Sequence, residues 1–144
     1  MTTALLIIDV QQALCSGEYE CFEIGRVIDT INDLSARARK AGVTVVLIQH
    51  EEVGSPLTHK AAGWQLAEGL QTLPTDHRVR KTTPDSFYKT NLQKLLPVQE
   101  FERLVICGLQ TDYCINTTVR QALTLGYDVV LASDAHSTVD NGNL

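Results

Sequence analysis

Three side chains in this 144-residue sequence have the types and placement for joint chemistry: Asp9, Lys81 and Cys114. Cys114 closes the stretch Leu104-Val105-Ile106-Cys107-Gly108-Leu109-Gln110-Thr111-Asp112-Tyr113-Cys114, which runs on into Ile115-Asn116-Thr117-Thr118. It reads as a buried strand, a glycine turn and the start of a helix. Thr111 is placed to be the N-cap, which puts Cys114 at the third helical position. Unpaired backbone N–H groups and the positive helix end favour an anion there. The thiolate is the nucleophile, and helix N-termini lower a cysteine's pKa. The competing reading is a small apolar residue packed at a helix start.

Asp9 and Lys81 shift that balance. Asp9 ends the continuous apolar run Ala4-Leu5-Leu6-Ile7-Ile8, the pattern of a strand buried on both faces. Lys81 ends His77-Arg78-Val79-Arg80-Lys81, and Pro84 stops regular structure shortly after it. If the strands are parallel, Asp9, Lys81 and the Cys114 turn emerge on one rim, where open α/β sheets bind ligands. An acid, a base and a nucleophile there form a catalytic set. Taken singly, Asp9 also reads as a cap and Lys81 as a solvated charge.

The elements that must position these residues alternate. Strands are expected at 4–9, 43–48, up to Lys81, at 103–107 and at 128–132. A helix is expected at about 22–40, where Ile24, Val27, Ile28, Ile31, Leu34 and Ala38 mark one face and Gly42 terminates it. Further helices are expected at about 63–70, 87–96 (stopped by Pro97) and 112–125 (ended by Gly126). Residues 49–63 read as a long loop, which in a compact domain is functional or disordered. This alternation predicts a three-layer α/β/α, Rossmann-like fold with a mostly parallel sheet. The chain reads as a single domain, residues 1–144.

With those pieces in place, the sequence resembles the isochorismatase-like cysteine hydrolase superfamily, which includes nicotinamidases and other small-amide hydrolases. The matching residues are Asp9-Val10-Gln11, Lys81 with Asp85-Ser86-Phe87, and Gly108-Leu109-Gln110-Thr111-Asp112-Tyr113-Cys114. Leu125-Gly126-Tyr127-Asp128-Val129-Val130-Leu131 and Asp134-Ala135-His136-Ser137-Thr138 also fit. The resemblance implies that Cys114 attacks an amide-like carbon to form a thioester, with Asp9 as base and Lys81 as charge stabiliser. It implies an oxyanion held by the backbone N–H groups of Gln110 and Cys114, and a cis peptide near Leu109-Gln110. Gln11, Trp64 and Phe87 are substrate-pocket candidates, although Trp64 and Phe87 equally suit core packing.

Departures from the family pattern matter too. Nicotinamidases carry an Asp-x-His…His zinc site after strand two. Here that stretch is Gln49-His50-Glu51-Glu52-Val53, with His59 beyond, so no metal and no other cofactor is expected. His50 reads as a hydrogen-bonding residue at a strand end, and His50, Glu51 and His59 match no zinc spacing. The usual aromatic five residues after the catalytic aspartate is Leu14. Family members usually continue past 134–138 with a further helix and strand, whereas this sequence stops at the turn-like Asn141-Gly142-Asn143-Leu144, a short C-terminal end. The apolar strand at 128–132 then lacks a cover, so a homodimer or larger homo-oligomer is expected.

Two other readings stay open at this stage. Cys114 pairs with His136 as a thiol–imidazole couple, or the scaffold is a catalytically silent binding protein. A nucleotide-binding domain is disfavoured, since neither Gly-x-Gly-x-x-Gly nor a P-loop occurs. The resemblance implies a small-molecule substrate as partner, and composition argues against two other classes. The hydrophobic content is 44%, the charged content 20% and the net charge −5, which argues against a nucleic-acid binder. No run approaches the ~20 apolar residues of a membrane helix. The N-terminus resembles no signal peptide, so a cytoplasmic location and four reduced cysteines are expected.

Overall fold

Residues 2–139 are described by a computed structural model. Their backbone forms a five-stranded sheet in which every pairing is parallel. The strands are β1 (Thr3–Ile8), β2 (Thr44–His50), β3 (His77–Lys81), β4 (Arg103–Leu109) and β5 (Asp128–Ser137), in spatial order β3-β2-β1-β4-β5. The helices are α1 (Gln12–Cys15), α2 (Ile24–Lys40), α3 (Leu92–Leu95) and α4 (Asn116–Thr124). No helix among the described residues is long and apolar enough to cross a membrane.

The continuous apolar run of β1 is explained by burial on both faces. Leu5 and Ile7 pack with Val27 and Ile31 of α2. Ala4, Leu6 and Ile8 face the other way, onto Leu92, Leu96, Ile115 and Ala122. Successive strand residues point to opposite faces, so one strand feeds two cores and the three-layer expectation holds. The chain builds outward through β2 to β3, then returns to place β4 on the far side of β1. Strand order reverses between β1 and β4, which opens a crevice at their carboxyl ends.

Three expected elements differ. The helix at 63–70 is replaced by a short turn at Ala62–Trp64 followed by extended chain. Residues 65–67 spend their backbone groups on the segment after β1: Gln12 N–H donates to the Gln65 carbonyl at 2.8 Å and Ala67 N–H to that of Val10 at 2.9 Å. The helix at 87–96 shrinks to Leu92–Leu95. There the Asp85 carboxylate takes the Phe87 N–H at 2.8 Å, and Lys89 has a left-handed φ of 51°, which interrupts helical propagation.

β5 is longer than expected and more exposed. It runs on to Ser137 through a register shift, with Ile106 opposite Leu131 but Gly108 opposite His136. Such an irregularity admits extra residues and bends an edge strand. Val130 and Leu131, expected to be buried, are 43% and 39% exposed in the single chain. The stretch Asn141–Leu144 lies outside the described residues.

Candidate active site

Asp9, Lys81 and Cys114 meet on the carboxyl rim of the sheet. Asp9 follows β1 in the left-handed region, at φ 57°, with its N–H on the Ile48 carbonyl at 2.9 Å. A non-glycine residue held there costs of order 1–3 kcal/mol and is characteristic of functional sites. Gly108 brings β4 against β1 at the same level. Its φ is 118°, and a Cβ would lie 2.1 Å from the Ile8 carbonyl oxygen, so only glycine permits the approach. The Leu109–Gln110 peptide that follows is cis, as the resemblance implied.

The helix start carrying Cys114 differs from expectation. It opens with a wide π turn over Thr111–Ile115, in which the Gln110 carbonyl accepts from Tyr113 N–H (3.1 Å) and Ile115 N–H (3.2 Å). Thr111 therefore does not cap. Its hydroxyl pairs with His136 Nδ1 at 2.9 Å. That contact also engages the imidazole that the rival thiol–imidazole reading assigned to Cys114.

Lys81 is the hub. Its side chain is fully buried, and Nζ lies 3.0 Å from Asp9 Oδ2, 3.1 Å from Cys114 Sγ, 3.1 Å from His50 Nδ1 and 3.2 Å from the Thr83 carbonyl. Asp9 Oδ1 is buried and has no hydrogen-bond partner among the described residues. Above this set opens a cavity of about 440 Å³, lined by Asp9, His50, Gln110 and Cys114 at its base and by Leu14, Glu52, Leu57 and Tyr113 among its walls.

Burial and the Asp9 carboxylate push the Cys114 thiol up to about 12, against the lowering pull of Lys81. Desolvation of the thiolate opposes the lowering expected of a helix start. Burial and Lys81 lower the His50 pKa, so its imidazole is neutral at neutral pH.

Cys15 and Cys107 are likewise raised to about 12 and Cys21 to about 11, chiefly by burial. The stability consequence has a definite sign. The folded chain holds thiol protons that the unfolded chain releases near the ordinary value of 9.0. This contribution is intact below pH 9 and is lost as pH rises through the folded values. Thermal melts should fall progressively between pH 9 and 11, with a shallower decline in Cys107→Ala, whose deleted thiol is fully buried. Equal slopes in the two proteins would refute this linkage.

The pocket candidates Gln11, Trp64 and Phe87 sit elsewhere. Gln11 is fully buried, and its amide is consumed by the His50 carbonyl (2.9 Å), the Trp64 carbonyl (2.9 Å) and the His50 N–H (3.0 Å). It ties β1 to β2 and to the turn at Trp64. Trp64 packs edge-on against His59, and Phe87 stacks on Tyr127 in the core. Leu14, at the position of the usual aromatic, does line the cavity. Sequence reasoning underweighted His50 and passed over Glu52. The available signal was that His50 ends β2 directly beside Lys81, which ends β3, on the rim where Asp9 follows β1.

Asp9, His50 and Cys114 offer ligand atoms within 4.8 Å of one another, a spacing that suits a metal. The Lys81 ammonium already contacts all three. A divalent ion there would meet a like charge at contact distance, so the donor set does not fit a metal while Lys81 is protonated. Glu51 faces Arg80 and His59 instead: Arg80 Nε lies 2.7 Å from Glu51 Oε1, and His59 Nδ1 3.8 Å from the same oxygen.

Comparison with known proteins agrees with this geometry. The Isochorismatase domain family matches residues 3–143. A streptothricin hydrolase of Streptomyces noursei is 41% identical over 138 residues, covering 95% of this chain and 50% of that protein. The isochorismatase family protein YrdC of Bacillus subtilis is 33% identical over 134 residues, covering 92% of this chain and 72% of that protein. A crystal structure of an isochorismatase family protein superposes with a TM-score of 0.92 at 39% identity, covering 99% of this chain and 84% of that one. The chain spans about half the length of the streptothricin hydrolases it matches, 50% and 55%. Sequence, sheet order and the Asp–Lys–Cys cluster converge: the chain belongs to the isochorismatase family.

Proposed function

We propose that this protein is a cysteine hydrolase that cleaves a C–N bond of a small amide-like molecule through a thioester on Cys114. The observation that carries the reading is the contact of one buried ammonium with both the Asp9 carboxylate and the Cys114 sulfur. With the thiol held neutral by burial, attack requires a base at hand. Asp9 takes the Sγ proton as sulfur bonds to the carbonyl carbon, and Lys81 stabilises the charges during the transfer. The oxyanion is received by the backbone N–H groups of Gln110 and Cys114. Gln110 lines the cavity next to Cys114. The C–N bond then breaks, with the Asp9 proton passing to the leaving nitrogen. Water, deprotonated by Asp9, cleaves the thioester and restores the thiol.

A panel of small amides, with isochorismate included for vinyl-ether chemistry, tests the substrate class. Amides should be turned over by the wild-type protein and not by Cys114→Ala. Turnover of isochorismate alone would overturn the C–N assignment. Turnover should also persist after exhaustive chelation and dialysis, because Lys81 supplies the cation at the Asp9–Cys114 pair. Loss of activity on chelation, restored by zinc, would count against that role.

A further inference from the structure

Three cavities meet at Glu52. Besides the active-site cavity, it lines an adjoining pocket of about 300 Å³ with Tyr19, Ser55 and Pro56, and a third of about 290 Å³ on the His59 side. Leu14, Glu52 and Leu57 belong to both the active-site cavity and the Tyr19 pocket, so these two form one trough leading away from Cys114.

The charges along this trough do not balance. Asp9 is compensated by Lys81. Cys114 is a thiol and His50 a neutral imidazole at neutral pH. Neither cavity wall includes an arginine or a lysine. Among the described residues Glu52 has no ion-pair partner, because the nearby cation Arg80 is taken by Glu51 through two hydrogen bonds of 2.7 and 3.1 Å. The backbone of Glu52 is anchored, while the residue itself is exposed. Its N–H donates to the Leu57 carbonyl at 3.1 Å, and its own carbonyl accepts the Ser55 hydroxyl at 2.8 Å. The site therefore presents one exposed, uncompensated carboxylate at the branch of the trough, with the half-exposed rings of Tyr113 and Tyr19 beside it.

We propose that Glu52 selects substrates carrying a cationic group, so that the hydrolase accepts ammonium-bearing amides and discriminates against carboxylate-bearing ones. The inference rests on the hydrolase reading of this trough as a substrate site. A carboxylate receives an ammonium through charge-assisted hydrogen bonds, and the aromatic faces add cation–π attraction. An anionic substrate would meet Glu52 with no cation to receive it, and like-charge juxtaposition discriminates against such a partner. The overall charge of −5 acts in the same direction at longer range.

The test uses matched amides of several chain lengths, ending in an ammonium, a neutral methyl or a carboxylate. Turnover is measured on wild type and Glu52→Gln, and binding by calorimetry on Cys114→Ala and on Cys114→Ala with Glu52→Gln. The ammonium amide should be preferred over the neutral one by about two- to fivefold at low salt, with the carboxylate amide weakest. That preference should shrink with added salt and approach unity in Glu52→Gln. Equal binding of the three classes, or an ammonium preference that survives Glu52→Gln, overturns the proposal. Absent turnover with the binding preference intact sinks the hydrolase reading alone and leaves cation selection standing.

Discussion

Cys114→Ala is expected to lower amide turnover by about 10³-fold or more, with the fold unchanged. Removing a nucleophile eliminates the covalent route rather than weakening it. Cys114→Ser should recover little, because a hydroxyl is a far weaker acid than a thiol and the burial that holds Cys114 at about 12 would hinder it further. Steady-state kinetics on purified proteins, with melting curves as the folding control, decide the matter. Activity within tenfold of wild type in Cys114→Ala would overturn the thioester mechanism. The wild-type thiol should also alkylate faster as pH rises above 9, since the thiolate fraction grows toward the raised value.

The second large effect is expected at Lys81. Its side chain and that of Asp9 are 0% and 2% exposed, and they lie 3.0 Å apart. Lys81→Met leaves a buried carboxylate without its cation, which costs about 3–5 kcal/mol. At roughly 2–4 °C per kcal/mol for a domain near this size, the melting temperature should fall by about 10 °C. Asp9→Asn together with Lys81→Met removes both charges and should regain part of that loss while remaining inactive. The double-mutant cycle isolates the pair. Additive losses in the double variant would show that the ion pair contributes nothing specific, and an unchanged melting temperature in Lys81→Met would refute the premise.

Much of this was legible in the sequence because parallel sheets write strongly into it. β1 is buried on both faces, so Ala4–Ile8 is apolar without interruption, and its polar terminus Asp9 had to be a rim residue. The same reasoning placed Lys81 and Cys114. The illegible parts depend on contacts between distant segments. The Gln11 amide joins β1 to His50 and Trp64, which no local pattern announces. The 63–70 helix failed because its backbone groups were claimed by residues 10–12, so propensity was overridden by tertiary pairing. β5 seemed to end at Ala132 because Ser133 and Asp134 break the apolar pattern; an edge strand tolerates them. A helix-start argument for Cys114 sees the dipole but not the burial that pushes its thiol up.

A last consequence follows from counting hydrogens on the Lys81 ammonium. It carries three, yet four acceptors surround it: Asp9 Oδ2, His50 Nδ1, the Thr83 carbonyl and Cys114 Sγ. One acceptor is always left unserved. While sulfur is a thiol it is the weakest claimant, and the hydrogens go to the other three. In the proposed mechanism sulfur would gain negative charge and become the strongest, and a rotation about the Cε–Nζ bond would redirect one hydrogen to it. On thioester formation the sulfur's claim would lapse and the hydrogen would return. The surplus acceptor would let the proposed site follow charge by turning a single ammonium group, with the backbone standing still.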